Sequence, residues 1–219
     1  MSLPVSAIST LSDHTSLSPS VEDELDRLAW SAVLRAIWLG GHHLSEYVFS
    51  SEPQSQPSVY PLGSAFGLPW TASDGDLSSA VVVSLGASTK TARVFAYFFE
   101  RRSKEVAPLG FLQVTSTAAS ISKASETANP SFPSKAVDYG QIDNQKTAEW
   151  LKKQNPSKFV VLDFGARSNA LDRLLASIKK EDALQSSDIV IVQIGSQQKV
   201  NCLLRNCVSK VVNTNHSFR

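Results

Sequence analysis

Two adjacent histidines, His42 and His43, lie one helical turn before a carboxylate and a phenol. Residues four apart share a helix face, so His42 would meet Glu46 and His43 would meet Tyr47. A histidine oriented by a carboxylate can act as a general base, because its ordinary pKa lies near neutral pH. This spacing predicts acid–base chemistry, although histidine pairs on ordinary surface helices show the same spacing.

A second candidate site follows a run of β-branched residues, in the stretch SAVVVSLGASTKTA over residues 79–92. The loop that begins at Gly86 offers hydroxyl groups, an ammonium group and the free amides of a helix start, which together can bind an anion. The side chains concerned are those of Ser88, Thr89, Lys90 and Thr91. A dinucleotide fingerprint and a P-loop both need more glycines, so a plain polar helix cap stays an alternative.

A third candidate is Asp163, which ends the apolar run KFVVLD, with Arg167 four residues later. Ligands of parallel sheets bind at the carboxyl ends of strands, where this aspartate could act as an acid or base. Arg167 could stabilise an enolate or a carboxylate. Hydrolase, zinc-protease and dithiol motifs are absent from the sequence, and the two cysteines, Cys202 and Cys207, predict neither a disulfide framework nor a metal site.

The elements that must position these residues form a regular alternation of apolar strands and helices from Ala80 onward. Strands that are apolar on both faces are typical of a parallel sheet covered by helices, so we expect an α/β, doubly wound, Rossmann-like fold. The strands are predicted at 80–85, 110–115, 135–139, 158–164 and 188–194, and the helices at 91–102, 117–128, 144–154 and 169–179. The tail at 200–219 could add a sixth strand or a closing helix.

The segment before this alternation predicts a helical extension. Ser20 can cap a helix whose apolar stripe continues until Gly40 and Gly41, which we expect to end it, and a second short helix follows over 42–49. Residues 50–76 are rich in Pro, Gly and Ser and could form a lid. The expected domains are a mobile arm at 1–20, the extension and loop at 21–78, and the Rossmann-like domain at 79–219.

The composition narrows the classes of partner. Twenty-one basic and 20 acidic residues leave a net charge of +1, which does not suggest a nucleic-acid partner. The sequence has no apolar run long enough for a membrane span and no basic, apolar start typical of a secretory signal. We therefore expect a cytoplasmic protein that acts on a small molecule, with a homodimer left open.

Several stretches resemble the nucleotide-binding half of medium-chain dehydrogenases of the quinone oxidoreductase type. They are VVVSLGASTKTA, GFLQVTS, AVDYGQI and FVVLDFGAR. More narrowly, they resemble a fungal and bacterial family of unknown function with an S-S-K-T-A loop, and LRAIWLGGHHLSEYVF is similar to its helical lead-in. The resemblance covers roughly residues 30–200 by pattern.

The resemblance implies an NADP(H) site. It places Thr115 and Ser116 at the adenosine ribose, and Lys123 and Tyr139 at the 2′-phosphate. A strand that ends in Ser rather than an acid also suits a phosphate physically. Relatives of this type carry a β-rich catalytic domain of about 120 residues before the nucleotide fold, and fewer than 80 residues precede Ala80 here. We therefore expect that domain to be lacking.

Three functions are compatible with these patterns. The preferred hypothesis is a cofactor-independent cyclase or isomerase, because proton transfer needs only a pocket and one or two tuned groups. The resemblance to fungal proteins, together with the aromatic and apolar residues before the fold, implies a polyketide-like substrate in fungal secondary metabolism. Hydride transfer needs a wall that excludes water from the nicotinamide, and no such wall is evident. The alternatives are an NADPH-dependent reductase of the quinone oxidoreductase type and a noncatalytic nucleotide- or partner-binding protein.

Overall fold

A computed structural model describes residues 19–50, 71–167, 169–194 and 210–213. The chain divides into two compact units, residues 1–36 and 37–219. The arm expected at 1–20 and the lid expected at 50–76 lie largely outside the described residues. Within the described ranges, no helix has both the length and the apolar character needed to cross a membrane.

The second unit is built on a sheet of six parallel strands in the order β3-β2-β1-β4-β5-β6. This order and the helical connections confirm the predicted doubly wound, Rossmann-like α/β fold. Residues 210–213 of the tail form a sixth strand. The strands are β1 Ala80–Leu85, β2 Gly110–Thr115, β3 Ser134–Asp138, β4 Lys158–Asp163, β5 Asp188–Gln193 and β6 Lys210–Asn213.

The predicted helices between the strands are also present, with ends that differ by a few residues. Asn129 and Asn155 end two of them in the left-handed conformation that favours a helix stop. The helices are α1 Pro19–His43, α2 Ala72–Gly75, α3 Lys90–Phe99, α4 Ala118–Ala128, α5 Gln145–Gln154 and α6 Ala170–Lys180. A π-helical turn over Leu44–Val48 follows α1 directly.

Each face of the sheet has its own apolar core. On one face, the side chains of α3 join Leu44, Val48 and Phe49 over strand residues of β1, β4 and β5. On the other face, α5 and α6 cover the alternate residues of the strands. The segment just after α1 therefore belongs to the core of the sheet. The sequence pattern indicates a separate extension there and does not indicate this packing.

The prediction that Gly40 and Gly41 end the helix is wrong, because α1 continues through both to His43. A Cβ atom on Gly41 would lie 2.7 Å from the amide nitrogen of Phe95 and 2.7 Å from the Cβ of Val94. Such distances are shorter than real packing allows. Gly41 thus serves the close approach of α1 to α3, and the glycine pair marks a helix crossing rather than a helix end.

Two buried cationic side chains, those of Arg102 and Lys158, donate hydrogen bonds to backbone carbonyl groups of segments that precede β1 in the chain. The Arg102 guanidinium donates to the carbonyl oxygens of Ser45 and Phe49, at the π-helical turn. Lys158, the first residue of β4, donates to the carbonyl oxygens of Ser73, at 2.7 Å, and Asp76. Burial lowers the pKa of Arg102 to about 10, against the opposing charge of Glu46, so the guanidinium keeps its charge at neutral pH.

Candidate functional site

The strand order reverses between β1 and β4, so the ligand crevice of this fold lies at the carboxyl ends of these two strands. The turns after β1 and β4 form its two sides. A Cβ atom on Gly86 would lie 3.5 Å from the carbonyl oxygen of Phe164, which shows that the two turns are close. The topology thus places the predicted anion loop beside Asp163.

The turn after β1 is held by its own backbone. Gly86 has a φ of +79°, a conformation that favours glycine. The amides of Gly86 and Ala87 both donate to the carbonyl oxygen of Val114, at 3.0 and 2.9 Å. Thr89 caps α3, since its hydroxyl accepts from the amide of Ala92 at 3.4 Å. The start of α3 is therefore fixed at the crevice.

The remaining loop side chains reach the surface there. Ser88 and Lys90 are exposed, and Thr89 and Thr91 are partly buried. The first amides of a helix have no acceptor within the helix and favour an anion nearby. Hydroxyls, an ammonium group and helix-start amides thus lie together at the carboxyl end of β1.

Asp163 closes the turn after β4. Its carboxylate oxygen Oδ1 accepts from the amides of Gly165, at 3.0 Å, and Ala166, at 2.8 Å. These bonds hold the turn in place and occupy one oxygen of the carboxylate, while the side chain stays partly buried. Asp163 thus has a structural role in the turn after β4. Any chemical role would have to be compatible with these two hydrogen bonds.

Tyr139 packs against the same turn. Burial raises the pKa of its phenol, and a hydrogen bond from the Arg167 amide opposes that rise. Its ring belongs to the apolar cluster on the α5 and α6 face, and Arg173 donates to its carbonyl oxygen at 2.9 Å. The side chain is thus directed to the turn after β4.

The end of β2 carries the other residues expected at the adenosine. Thr115 is buried, and its hydroxyl accepts from the amide of Thr117 at 3.2 Å, whereas Ser116 is exposed. Lys123 is exposed on α4, whose Ser125 bonds Gln113 on the α3 face of the sheet. Lys123 and Tyr139 therefore lie on opposite faces, so the structure does not bring this expected pair together.

The histidines lie at the other end of the sheet. Helix α3 runs antiparallel to β1, so its last residues are at the amino ends of the strands, and the His42 ring lies 4.7 Å from the ring of Phe98 there. The His43 and Tyr47 rings meet edge-on at 5.3 Å. A cavity of about 490 Å³ is lined by His42, Glu46, Phe98, Arg101, Arg102, Ser103 and Val106.

This placement divides the predicted site residues into two groups. His42, His43 and Tyr47 lie near the amino ends of the strands, whereas Asp163 and the loop at Gly86 lie at the carboxyl ends. The histidine contacts are with the end of α3, whereas the predicted anion loop lies at its start, so we treat the two groups as separate candidate sites.

Two features near the histidines were not expected from the sequence. Arg102 and Glu100 are buried, at 6% and 4% exposure, and Glu100 accepts from Gln113 at 3.0 Å. The run FAYFFERR places three charges directly after an aromatic helix, a signal that could have indicated buried charged side chains. Among the residues described, no group of three or more His, Cys, Asp or Glu is arranged to hold a metal ion.

Comparison with known proteins identifies a family but no activity. No curated protein and no solved structure matches the chain. Residues 12–210 match one family, described as protein of unknown function (DUF2855). Because this match covers most of the 219 residues, the chain belongs to the DUF2855 family.

Proposed function

We propose that this protein binds NADP(H) in the crevice between β1 and β4, as the nucleotide-binding part of an NADPH-dependent oxidoreductase of the quinone oxidoreductase type. The observation that carries the proposal is the strand order β3-β2-β1-β4-β5-β6, whose reversal lies at the Gly86 turn and the start of α3. Dinucleotides bind at this point of the fold.

The residues of the β1 turn suit a pyrophosphate. Gly86 lets the backbone turn sharply below the ligand, and the start of α3 offers amides and a positive dipole end. Lys90 adds a charge, and Ser88, Thr89 and Thr91 add hydroxyls. The usual fingerprint has two further glycines, and this loop has polar side chains instead. The pyrophosphate would therefore follow a somewhat different path across the turn.

The end of β2 suits NADP(H) better than NAD(H). An acid at this position holds the free ribose hydroxyls in NAD-binding proteins, and its charge would repel a 2′-phosphate. This chain has Thr115 and Ser116 there. We assign Lys123 as the cation that binds the 2′-phosphate. Tyr139 lies on the opposite face and packs against the turn after β4, so we assign it no contact with the phosphate.

The cofactor would supply a hydride, and the chain's residues would hold and orient it. The Gly86 turn and α3 would anchor the pyrophosphate, and Asp163 would keep the turn after β4 in shape. We assign the histidines no part in this site, because they lie at the opposite end of the sheet.

A fluorescence titration tests the proposal. We expect NADPH to bind the purified chain more tightly than NADH, and Lys90→Ala to weaken NADPH binding roughly tenfold through the loss of one charged contact. Lys104→Ala is the matched control, because Lys104 is an exposed lysine beyond the end of α3, and it should leave binding unchanged. Lys123→Ala should remove the preference for NADPH.

The result that would overturn the proposal is equally direct. Absence of NADPH binding by folded wild-type protein would exclude it, as would equal loss of binding in the Lys90 and Lys104 variants. Binding of NADPH without oxidation by quinone or enone acceptors would instead favour the noncatalytic nucleotide-binding function.

A second candidate is the cofactor-independent cyclase or isomerase with a polyketide-like substrate, placed at the histidine cavity. It is favoured by the buried Nδ1 of His42, which has no hydrogen-bond partner among the described residues and lies beside Phe98 and Glu46. A hydroxylated anthraquinone is a suitable probe. Binding that weakens in His42→Ala, and that excess NADPH does not displace, would support this function.

A further inference from the structure

Two buried polar atoms at the cavity beside the end of α3 have no hydrogen-bond partner among the described residues. They are the Nε of Arg102 and the Nδ1 of His42, and both residues line this cavity of about 490 Å³. Arg102 is only 6% exposed. Most buried donors and acceptors in proteins are paired, because an unpaired one loses its bonds to water without replacement. Two such atoms at one cavity point to a polar ligand.

The charges around the cavity favour an anion with a single negative charge. Of the described residues, Arg101 and Arg102 bring two positive charges to its lining and Glu46 brings one negative charge. A carboxylate balances the remaining charge and matches the planar N–H groups of a guanidinium. A second negative charge on the ligand would be repelled by Glu46. The lining therefore suits a carboxylate better than a phosphate dianion.

Arg102 is held in position independently of a ligand. One nitrogen of its guanidinium, Nη2, donates to the carbonyl oxygens of Ser45 and Phe49, and the central carbon lies 4.7 Å from the centre of the Phe99 ring. These contacts leave the Nε–H group for another acceptor. A donor that is already fixed loses little conformational freedom on binding, which favours affinity.

The apolar part of the lining favours an aromatic ligand. Phe98 and Val106 line the cavity, and the centre of the Phe98 ring lies 4.7 Å from that of His42. The rings of Trp38 and Tyr97 each lie 5.2 Å from Phe98. Aromatic rings attract one another at separations of this order. A planar ring in the cavity would therefore extend an existing aromatic cluster.

We propose that this cavity binds a hydroxylated aromatic monocarboxylate, independently of the NADP(H) proposed for the crevice. The carboxylate would accept from the Nε of Arg102, a hydroxyl on the ring would donate to the Nδ1 of His42, and the ring would pack on Phe98. A cavity of this volume is ordinary for a small-molecule site. The second candidate function uses the same cavity, but binding of this acid requires no reaction there.

Calorimetric titration of the full chain with meta-hydroxybenzoate tests the proposal. We expect this acid to bind about tenfold more tightly than its uncharged methyl ester and more tightly than benzoate, which lacks the hydroxyl. His42→Phe retains a ring beside Phe98 but removes Nδ1, so it should abolish the preference over benzoate. Arg101→Ala should weaken binding about threefold. Lys153→Ala is the control, because it removes an exposed charge from α5, on the other face of the sheet, and should change nothing.

Glu46→Gln tests the charge balance of the cavity. Glutamine can still accept from the Ser45 hydroxyl, as Glu46 does at 2.8 Å, but it carries no charge, so meta-hydroxybenzoate should bind about threefold more tightly. Unchanged circular dichroism shows that each variant folds. Equal binding of the acid and its ester, displacement of the acid by NADPH, or an unaltered preference over benzoate in His42→Phe would overturn the proposal. A failure of NADPH to bind would instead exclude the crevice site and leave this one standing.

Discussion

Arg102→Ala is expected to lower the free energy of unfolding by about 3 kcal/mol. The guanidinium is buried and donates to the carbonyl oxygens of Ser45 and Phe49. Both of these residues are fully buried, so water cannot replace the lost donors without opening the core. The carbon of the guanidinium also lies 4.7 Å from the centre of the Phe99 ring, and alanine would leave a void there. Urea unfolding followed by circular dichroism measures the change.

The neighbouring arginine is a close control for this prediction. Arg101 is exposed, bonds the carbonyl oxygen of Tyr97 at 2.6 Å and lies over the Tyr97 ring at 3.7 Å. Arg101→Ala should therefore cost less than about 1 kcal/mol. Equal losses in the two variants would show that Arg102 does not fasten the π-helical turn. At temperatures where Arg102→Ala is folded, NADPH binding should be unchanged, since the proposed crevice is at the other end of the sheet.

Gly41→Ala is expected to destabilise the protein by about 2 kcal/mol, as overpacking of a well-filled core does. The new Cβ atom would lie 2.7 Å from the backbone of Phe95, a fully buried residue, so α1 and α3 would have to separate. Gly40→Ala should do the opposite and stabilise by about 0.5–1 kcal/mol, because alanine is the better helix former. Among the residues that the structure describes, its Cβ atom would meet only the Thr91 methyl group, at 3.7 Å.

Thermal and urea unfolding of the two variants check the contrast. The adjacent glycines have the same intrinsic helix propensity, so an opposite sign can arise only from their surroundings. If the helix ended at the glycine pair, as the sequence pattern predicts, neither alanine would clash. A stabilised Gly41→Ala would therefore contradict the helix crossing.

The strands and helices of the second unit could be predicted because their signals are local. The apolar run AVVVSL predicts β1 at its observed limits, and the polar residues after it predict the start of α3 within one residue. The histidine pairing with Tyr47 also follows from helical spacing alone. These predictions need only neighbours in the chain.

The sequence by itself determined the alternation of strands and helices, the doubly wound class and the residues at the carboxyl ends of the strands. Only the tertiary structure decided that the glycine pair lies within a helix crossing, that Arg102 is buried, that Lys123 and Tyr139 are on opposite faces, and that the histidines lie at the opposite end of the sheet from Asp163. Periodicity records how a residue relates to its own helix or strand. Distances between elements depend on crossovers and close packing that bring together residues far apart in the chain, and a local pattern carries no record of those contacts.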